Sequence, residues 1–202
     1  MRPAMPEDAA GALLYESAKP YYDAYAGTEA RARRILTRVY RRPAHSASWE
    51  FCYVAEADDE VVGVLAGFPS RRGEELARRF VALTLPRIPV WRWPGLLRHL
   101  QAAGHVAPHP PAGSWYVDAL AVRHDWRRRG VARALLGEAD HQAERNGSTG
   151  VALDTGLANQ PARALYEACG FQRGSMRRAP DERIARAIGG PGFVSYFKSR
   201  RR

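Results

Sequence analysis

A chain of 202 residues, 46% of them hydrophobic and arranged in alternating strand-like and helix-like stretches, fits one soluble α/β domain able to bury a proper core. The formal net charge of +10 is almost wholly arginine, but its clusters are scattered and carry no helix-turn-helix, zinc or RNP signature, so no nucleic-acid partner is expected. No apolar run approaches a membrane span and residues 1–10 hold no apolar signal core, which argues against a membrane partner and for a cytoplasmic home.

In chain order, Pro6-Glu7-Asp8 predicts a helix start, with proline and acids in the first turn. Leu13, Leu14 and Ala18 give that helix its apolar side, and Lys19-Pro20 ends it. Tyr21, Tyr22 and Tyr25 then read as a loop before Gly27, after which Thr28 caps a second helix carrying Ile35, Leu36, Val39 and Tyr40. Residues 49–55 and 61–68 read as strands around a turn at Asp58-Asp59. Residues 70–113 contain a helical stretch (74–83), the run Pro86 to Pro94 with Trp91-Arg92-Trp93, a second helical stretch (96–101) and a proline-rich tail. A connection this long with its own helices is more often functional than ornamental. Three uses fit it: a lid or wall of a binding site, a dimer surface, or a membrane-surface contact where Trp and Arg alternate. His99, His105 and His109 within it lack metal spacing and read as loop histidines. Cys52 and Cys169 are too few and too far apart for a zinc site or disulfide framework, and read as small buried apolar residues. No metal is expected.

The run Trp115 to Val122 is rich in β-formers. Val117 and Leu120 stand an odd number apart, so a regular strand would send them to opposite faces. Either a bulge between Asp118 and Leu120 restores one face, or the strand is buried on both sides. A basic turn with one glycine follows, Trp126-Arg127-Arg128-Arg129-Gly130-Val131-Ala132, and then a helix over residues 129–146 that stops at Asn146-Gly147. Strand, glycine turn and helix N-terminus make an anion cradle: first-turn N–H groups point outward, the dipole favours negative charge, and arginine adds charge-assisted bonds. The cradle suits a pyrophosphate. It lacks the glycine patterns of a P-loop and of a dinucleotide fold, and instead fits Arg/Gln-x-x-Gly-x-Gly/Ala with Arg127, Gly130 and Ala132. Leu153-Asp154-Thr155 ends a second strand, Asn159 stands at a helix cap with Pro161 in the first turn, and Gly170-Phe171 is the stop. Residues 192–198 read as a final strand.

With the turn Arg127-x-x-Gly130-x-Ala132 followed by the helix Asn159-x-x-Ala162-x-x-x-Tyr166-Glu167-x-x-Gly170-Phe171, the segment 117–171 closely resembles the GNAT superfamily of acyl-CoA-dependent N-acyltransferases. The resemblance implies a mixed, mostly antiparallel sheet flanked by helices and splayed at its fourth and fifth strands. It also implies a first strand squeezed into residues 1–4, and departs from the family at residues 70–113, where members usually run directly from the third strand to the fourth. What it implies for the site is acetyl-CoA as co-substrate, held by the backbone of Leu120, Ala121 and Val122, by the turn Arg127, Arg128, Arg129, Gly130, Val131, Ala132 and Arg133, and by Asn159 on the cofactor arm. Leu120 N–H would polarise the thioester carbonyl, Tyr166 would protonate the leaving thiolate, and Asp118 would take the proton of the amine. The blander readings are Tyr166 as a packing residue and Asn159 as a plain cap; Glu50, Glu56, Asp154 and Tyr116 are weaker candidates for the base. The tyrosines at 21, 22 and 25 would border the acceptor or pack the core. The implied function is acetyl transfer to a primary amine of a small molecule by direct attack. The alternatives are a protein N-terminus or lysine as acceptor, or a non-catalytic acyl-CoA sensor. The partners are then acetyl-CoA and an amine, with a homodimer left open.

Overall fold

Asp58 and Asp59 both take positive φ, 51° and 60°, as a tight two-residue hairpin of the I′ kind requires. They join β2 (Cys52–Ala57) to β3 (Glu60–Pro69) in the hairpin expected from the sequence. The computed structural model describes residues 1–200; Arg201 and Arg202, the end of the C-terminal basic run, lie outside them. Ahead of the hairpin stands β1, only Arg2–Pro3, and the stretch Trp49–Phe51 is a 3₁₀ turn capped by Ser48, so the strand begins three residues later than its pattern suggests. β4 (Trp115–Val122) runs antiparallel to β3. α6 (Val131–Arg145) then carries the chain over to β5 (Gly150–Gly156), which pairs parallel to β4 as a strand-helix-strand unit should. β6 (Gln172–Arg178) and β7 (Gly192–Ser199) complete one sheet in the order β1-β2-β3-β4-β5-β7-β6, antiparallel at every step but β4-β5. The mixed, mostly antiparallel sheet flanked by helices is the architecture that the resemblance implied.

The first two helices depart from the sequence reading. α1 is Ala10–Ser17, later than Pro6 because the Asp8 carboxylate is engaged by the Met5 N–H and the Arg2 guanidinium. Pro20 does not end a helix but sits in the first turn of α2 (Lys19–Ala26), where its missing N–H costs nothing. Tyr21, Tyr22 and Tyr25 are therefore helical, not loop. α3 (Glu29–Tyr40) follows, and the Thr28 side chain accepts from Arg31 N as expected of its cap.

Residues 70–113 fold mainly as α4 (Gly73–Thr84) and α5 (Trp93–Val106). His99 is not a loop histidine: it lies on α5, buried, with Nδ1 2.7 Å from the carbonyl oxygen of Ala187. That carbonyl belongs to α8 (Glu182–Ile188), a short helix capped by Asp181 that the sequence reading did not include. α7 is Gln160–Ala168. One apolar layer packs α1, α3 and part of the insertion on Val54, Val64, Ala119 and Ala121; the other packs α6 and α7 on Leu65, Trp115, Val117 and Val122. Trp115 lies flat on β3 only because residue 67 is glycine, whose absent Cβ would sit 2.1 Å from the indole. Cys52 is buried, while Cys169 is only half-buried, being at the exposed end of α7. Among the described residues no helix is long and apolar enough to cross a membrane.

Candidate active site

β4 changes face halfway along. Val117 pairs with Gly67 and Ala119 with Ala66, which leaves Asp118 as an extra residue, a bulge. Trp115 and Val117 therefore pack toward α6, whereas Ala119 and Ala121 pack toward α1 and α3. Leu120 and Val122 join Val117 on the α6 side, so the parity mismatch in the sequence is resolved by a bulge and not by two-sided burial. Beyond the bulge the neighbour is lost as well: β4 pairs with β5 only at Trp115, Tyr116 and Val117. The β5-facing edge of the strand from Asp118 onward is free.

A cleft of about 510 Å³ opens at this divergence, with Tyr116, Asp118, Leu120, Asp154, Asn159 and Tyr166 among its lining residues. One wall comes from the junction of α1 and α2, where Tyr21 and Tyr22 face the cavity; the other comes from the turn between α8 and β7. The two walls touch: a Cβ on Gly189, whose φ is +74°, would lie 2.2 Å from the carbonyl oxygen of Pro20. Tyr25 instead belongs to the core, its hydroxyl bonded to Thr84. The insertion reaches the cleft only at its end, through Ala107 and Pro108. Its larger part is a buttress, with His99 bonded to α8 and its ring 4.5 Å from that of Tyr21. The wall contributed by α8 and Gly189 went unread in the sequence, because a helix of seven residues gives too short a periodic signal.

The electrostatics of the cleft are acidic. Asp118 is exposed to the open cleft, although protein crowds around its carboxylate. That desolvation, with the like charge of Asp154 second, pushes Asp118 up to about 7. Asp154 is pushed up to about 6 by burial, against a hydrogen bond of 2.6 Å donated by the Tyr116 hydroxyl. The charge of Asp154 opposes ionisation of Asp118. Glu50 and Glu56 stand apart from this group: Glu50 accepts from Ala44 N and Glu56 pairs with Arg2.

Tyr166 is 6% exposed, packed at 5.5 Å from the ring of Tyr196 and 6.0 Å from that of Phe171. It nonetheless lines the cleft, and burial holds its phenol well above the ordinary range, so it stays protonated. Asn159 lines the cleft too, but it also serves as the cap of α7: Oδ1 accepts from Ala162 N at 3.4 Å and Nδ2 donates to Thr155 Oγ1 at 3.1 Å.

The basic turn lies between β4 and α6. Gly130 has φ +85°, and nothing lies within 4 Å of the position its Cβ would occupy, so the backbone there is open. Ala134 N donates to the carbonyl of Gly130 as the first helical bond, which leaves the N–H groups of Val131, Ala132 and Arg133 as the free first turn. Arg128 also takes a positive φ, 61°, and the side chains of Arg127, Arg128, Arg129 and Arg133 are exposed. Two arginines are partly engaged: Arg127 Nε donates to the carbonyl of Val122 at 3.2 Å, and Arg129 stacks over Trp126 at 4.8 Å. Open backbone donors in a turn that carries four exposed arginines suit a diphosphate.

A family model described as Acetyltransferase (GNAT) family matches residues 12–171. The crystal structure of an acetyltransferase superposes with a TM-score of 0.69 over 99% of this chain and 98% of that one, at 18% identity. An N-acetyltransferase from Staphylococcus aureus Mu50 gives 0.67 over 98% of each chain, at 15% identity. At such identities these two show the fold. Among curated proteins, the [Ribosomal protein bS18]-alanine N-acetyltransferase of Escherichia coli K12 is 37% identical over 59 residues, 29% of this chain and 40% of the relative. The chain therefore matches well under two thirds of that relative's length.

Proposed function

As the chain belongs to the acetyltransferase (GNAT) family, we propose that it is an acyltransferase that moves an acetyl group from acetyl-CoA to a primary amine of a small molecule by direct attack. One observation carries the reading: the gap between β4 and β5 puts a raised-pKa carboxylate, Asp118, and a protonated phenol, Tyr166, in one cleft. The strand whose free edge lines that cleft leads into the open turn at Gly130. In this reading the turn from Arg127 to Arg133 holds the pyrophosphate, and the free edge of Leu120, Ala121 and Val122 bonds the pantetheine arm beside Asn159. The thioester then lies at the splay, its carbonyl polarised by Leu120 N–H.

The amine arrives as ammonium from the side of Tyr21 and Tyr22. Asp118, poised near neutrality, takes one proton, and the nitrogen lone pair attacks the thioester carbon. The C–N bond forms as the carbonyl π pair moves to oxygen, and the pair returns as the C–S bond breaks. The departing thiolate takes the phenolic proton of Tyr166, and the proton that leaves the new amide restores neutrality through the cleft. The closed contact between Pro20 and Gly189 narrows the acceptor end, which favours a small molecule over a polypeptide.

The curated relatives favour a second reading, a protein N-terminus as acceptor. A panel of small amines and alanine-first peptides with acetyl-CoA, scored by thiol release, separates the two. Amine-dependent release with small amines supports the first, and release with peptides alone supports the second. Binding of acetyl-CoA with no release from any acceptor makes the protein a sensor.

A further inference from the structure

We propose that the acceptor is a dication, a small linear diamine or polyamine whose reacting amine meets Asp118 while its second ammonium is held at Asp154 between the tyrosine rings. The inference rests on the acetyl-transfer reading and names its substrate class.

The chain is rich in arginine, and Glu16, the third acid lining the cleft, is neutralised by Arg33. Asp118 and Asp154 are treated differently. Among the described residues neither has a basic side chain within ion-pair distance. Lys19 is the one basic residue lining the cleft, and it is turned to Glu29 at 3.0 Å. Asp154 receives a single hydrogen bond, from Tyr116 to Oδ2, which leaves Oδ1 for a ligand. The two acids also follow the last paired residues: Val117 faces Leu153 across the parallel pair, and Asp118 and Asp154 come next on each strand. Two carboxylates thus line one cleft of a chain with a net charge of +10, each at the point where its strand leaves the other.

A monoamine accounts for only one of them. It delivers a single positive charge, which passes as a proton to Asp118 and leaves Asp154 facing a neutral amine. A second ammonium supplies the missing counter-charge. Tyr21 and Tyr22, beside these acids, add aromatic faces and phenolic oxygens suited to an alkylammonium. Glu16 at the mouth, already held by Arg33, does not compete for that role.

The test sets linear diamines from ethylenediamine to cadaverine, and spermidine, each against the monoamine of matching length. Binding is read by calorimetry and transfer by thiol release at neutral pH. At least one diamine should exceed its monoamine by about tenfold or more in affinity and in kcat/KM, the worth of one partly solvated ion pair. Asp154→Asn should bring that ratio toward unity, and Asp154→Glu should keep it. Equal affinities for diamines and monoamines across the wild-type series would overturn the inference whatever the variants do. Absence of thiol release with every amine would instead fail the transfer reading, and the calorimetric ratio would still decide this one.

Discussion

Replacing Asp118 by asparagine keeps the shape of the bulge and deletes one proton acceptor. The size of the effect follows from two pKa values. Asp118 is pushed up to about 7, and an alkylammonium titrates near about 10.4. If ionised Asp118 takes the proton from bound ammonium, wild-type kcat/KM should fall about tenfold per pH unit below about 7 and stay level from there to about pH 10. The asparagine variant must rely on amine already free in solution, about one molecule in 10³ at neutrality. Its kcat/KM should therefore lie roughly 10²–10³-fold below wild type at pH 7 and climb tenfold per unit, with no break near 7, until the two curves approach near about pH 10. The assay is thiol release at saturating acetyl-CoA, scanned from about pH 5.5 to about pH 10 with one amine. A wild-type profile that climbs through 7 without a break, or a variant that keeps the plateau, would refute Asp118 as the base.

The same carboxylate makes a stability prediction of definite sign. Its folded-state pKa is raised, so the folded protein loses stability as pH rises from the ordinary carboxylate range through about 7. Asp118→Asn should thus raise Tm at about pH 8 and leave it little changed at about pH 4, as calorimetric scans would show. Tyr166→Phe keeps the ring against Phe171 and Tyr196 and removes only the hydroxyl; kcat should fall roughly 10²–10⁴-fold with acetyl-CoA affinity nearly unmoved, measured where chemistry limits turnover. Gly130→Asp puts a negative charge at the open turn, in a left-handed conformation that aspartate tolerates, so calorimetric affinity for acetyl-CoA should collapse while Tm holds. His99→Ala breaks the bond to Ala187 that fixes α8; the acceptor KM should rise severalfold and that of acetyl-CoA should not, on the order of 1–3 kcal/mol being lost from a buried bond.

Legibility in the sequence followed the physics of each element. The hairpin at Asp58-Asp59, the Thr28 cap and the strand-helix-strand unit each carry a local signal strong enough to survive packing. The bulge was legible as a conflict, because Val117, Leu120 and Val122 could share a face only if the strand slipped by one residue. Pro20 misled, since proline ends one helix and opens the next with equal ease, and only the non-helical backbone of Ala18, φ −147° and ψ 48°, separates the two cases. β6 was not foreseen at all: every residue of it is exposed, so no alternation marks it as a strand. α8 escaped for a related reason, its fixing contacts coming from His99 and Pro20, far away in the chain. Tyr166 and Asp118 could be named from motif and strand parity, but their relation to Asp154 depends on a register that only the paired strands reveal.

Acetyl-CoA labelled in the acetyl carbonyl, incubated with the protein and a turned-over amine, gives the most direct test of direct acyl transfer. Mass spectrometry of the small molecule and of the intact protein, together with free thiol, closes the count. The predicted result is labelled amide and free coenzyme A in equal amounts, with no label on the protein at any time. Label retained on the protein, thiol released without amide, or acetyl-CoA bound and left intact beside every amine would contradict it.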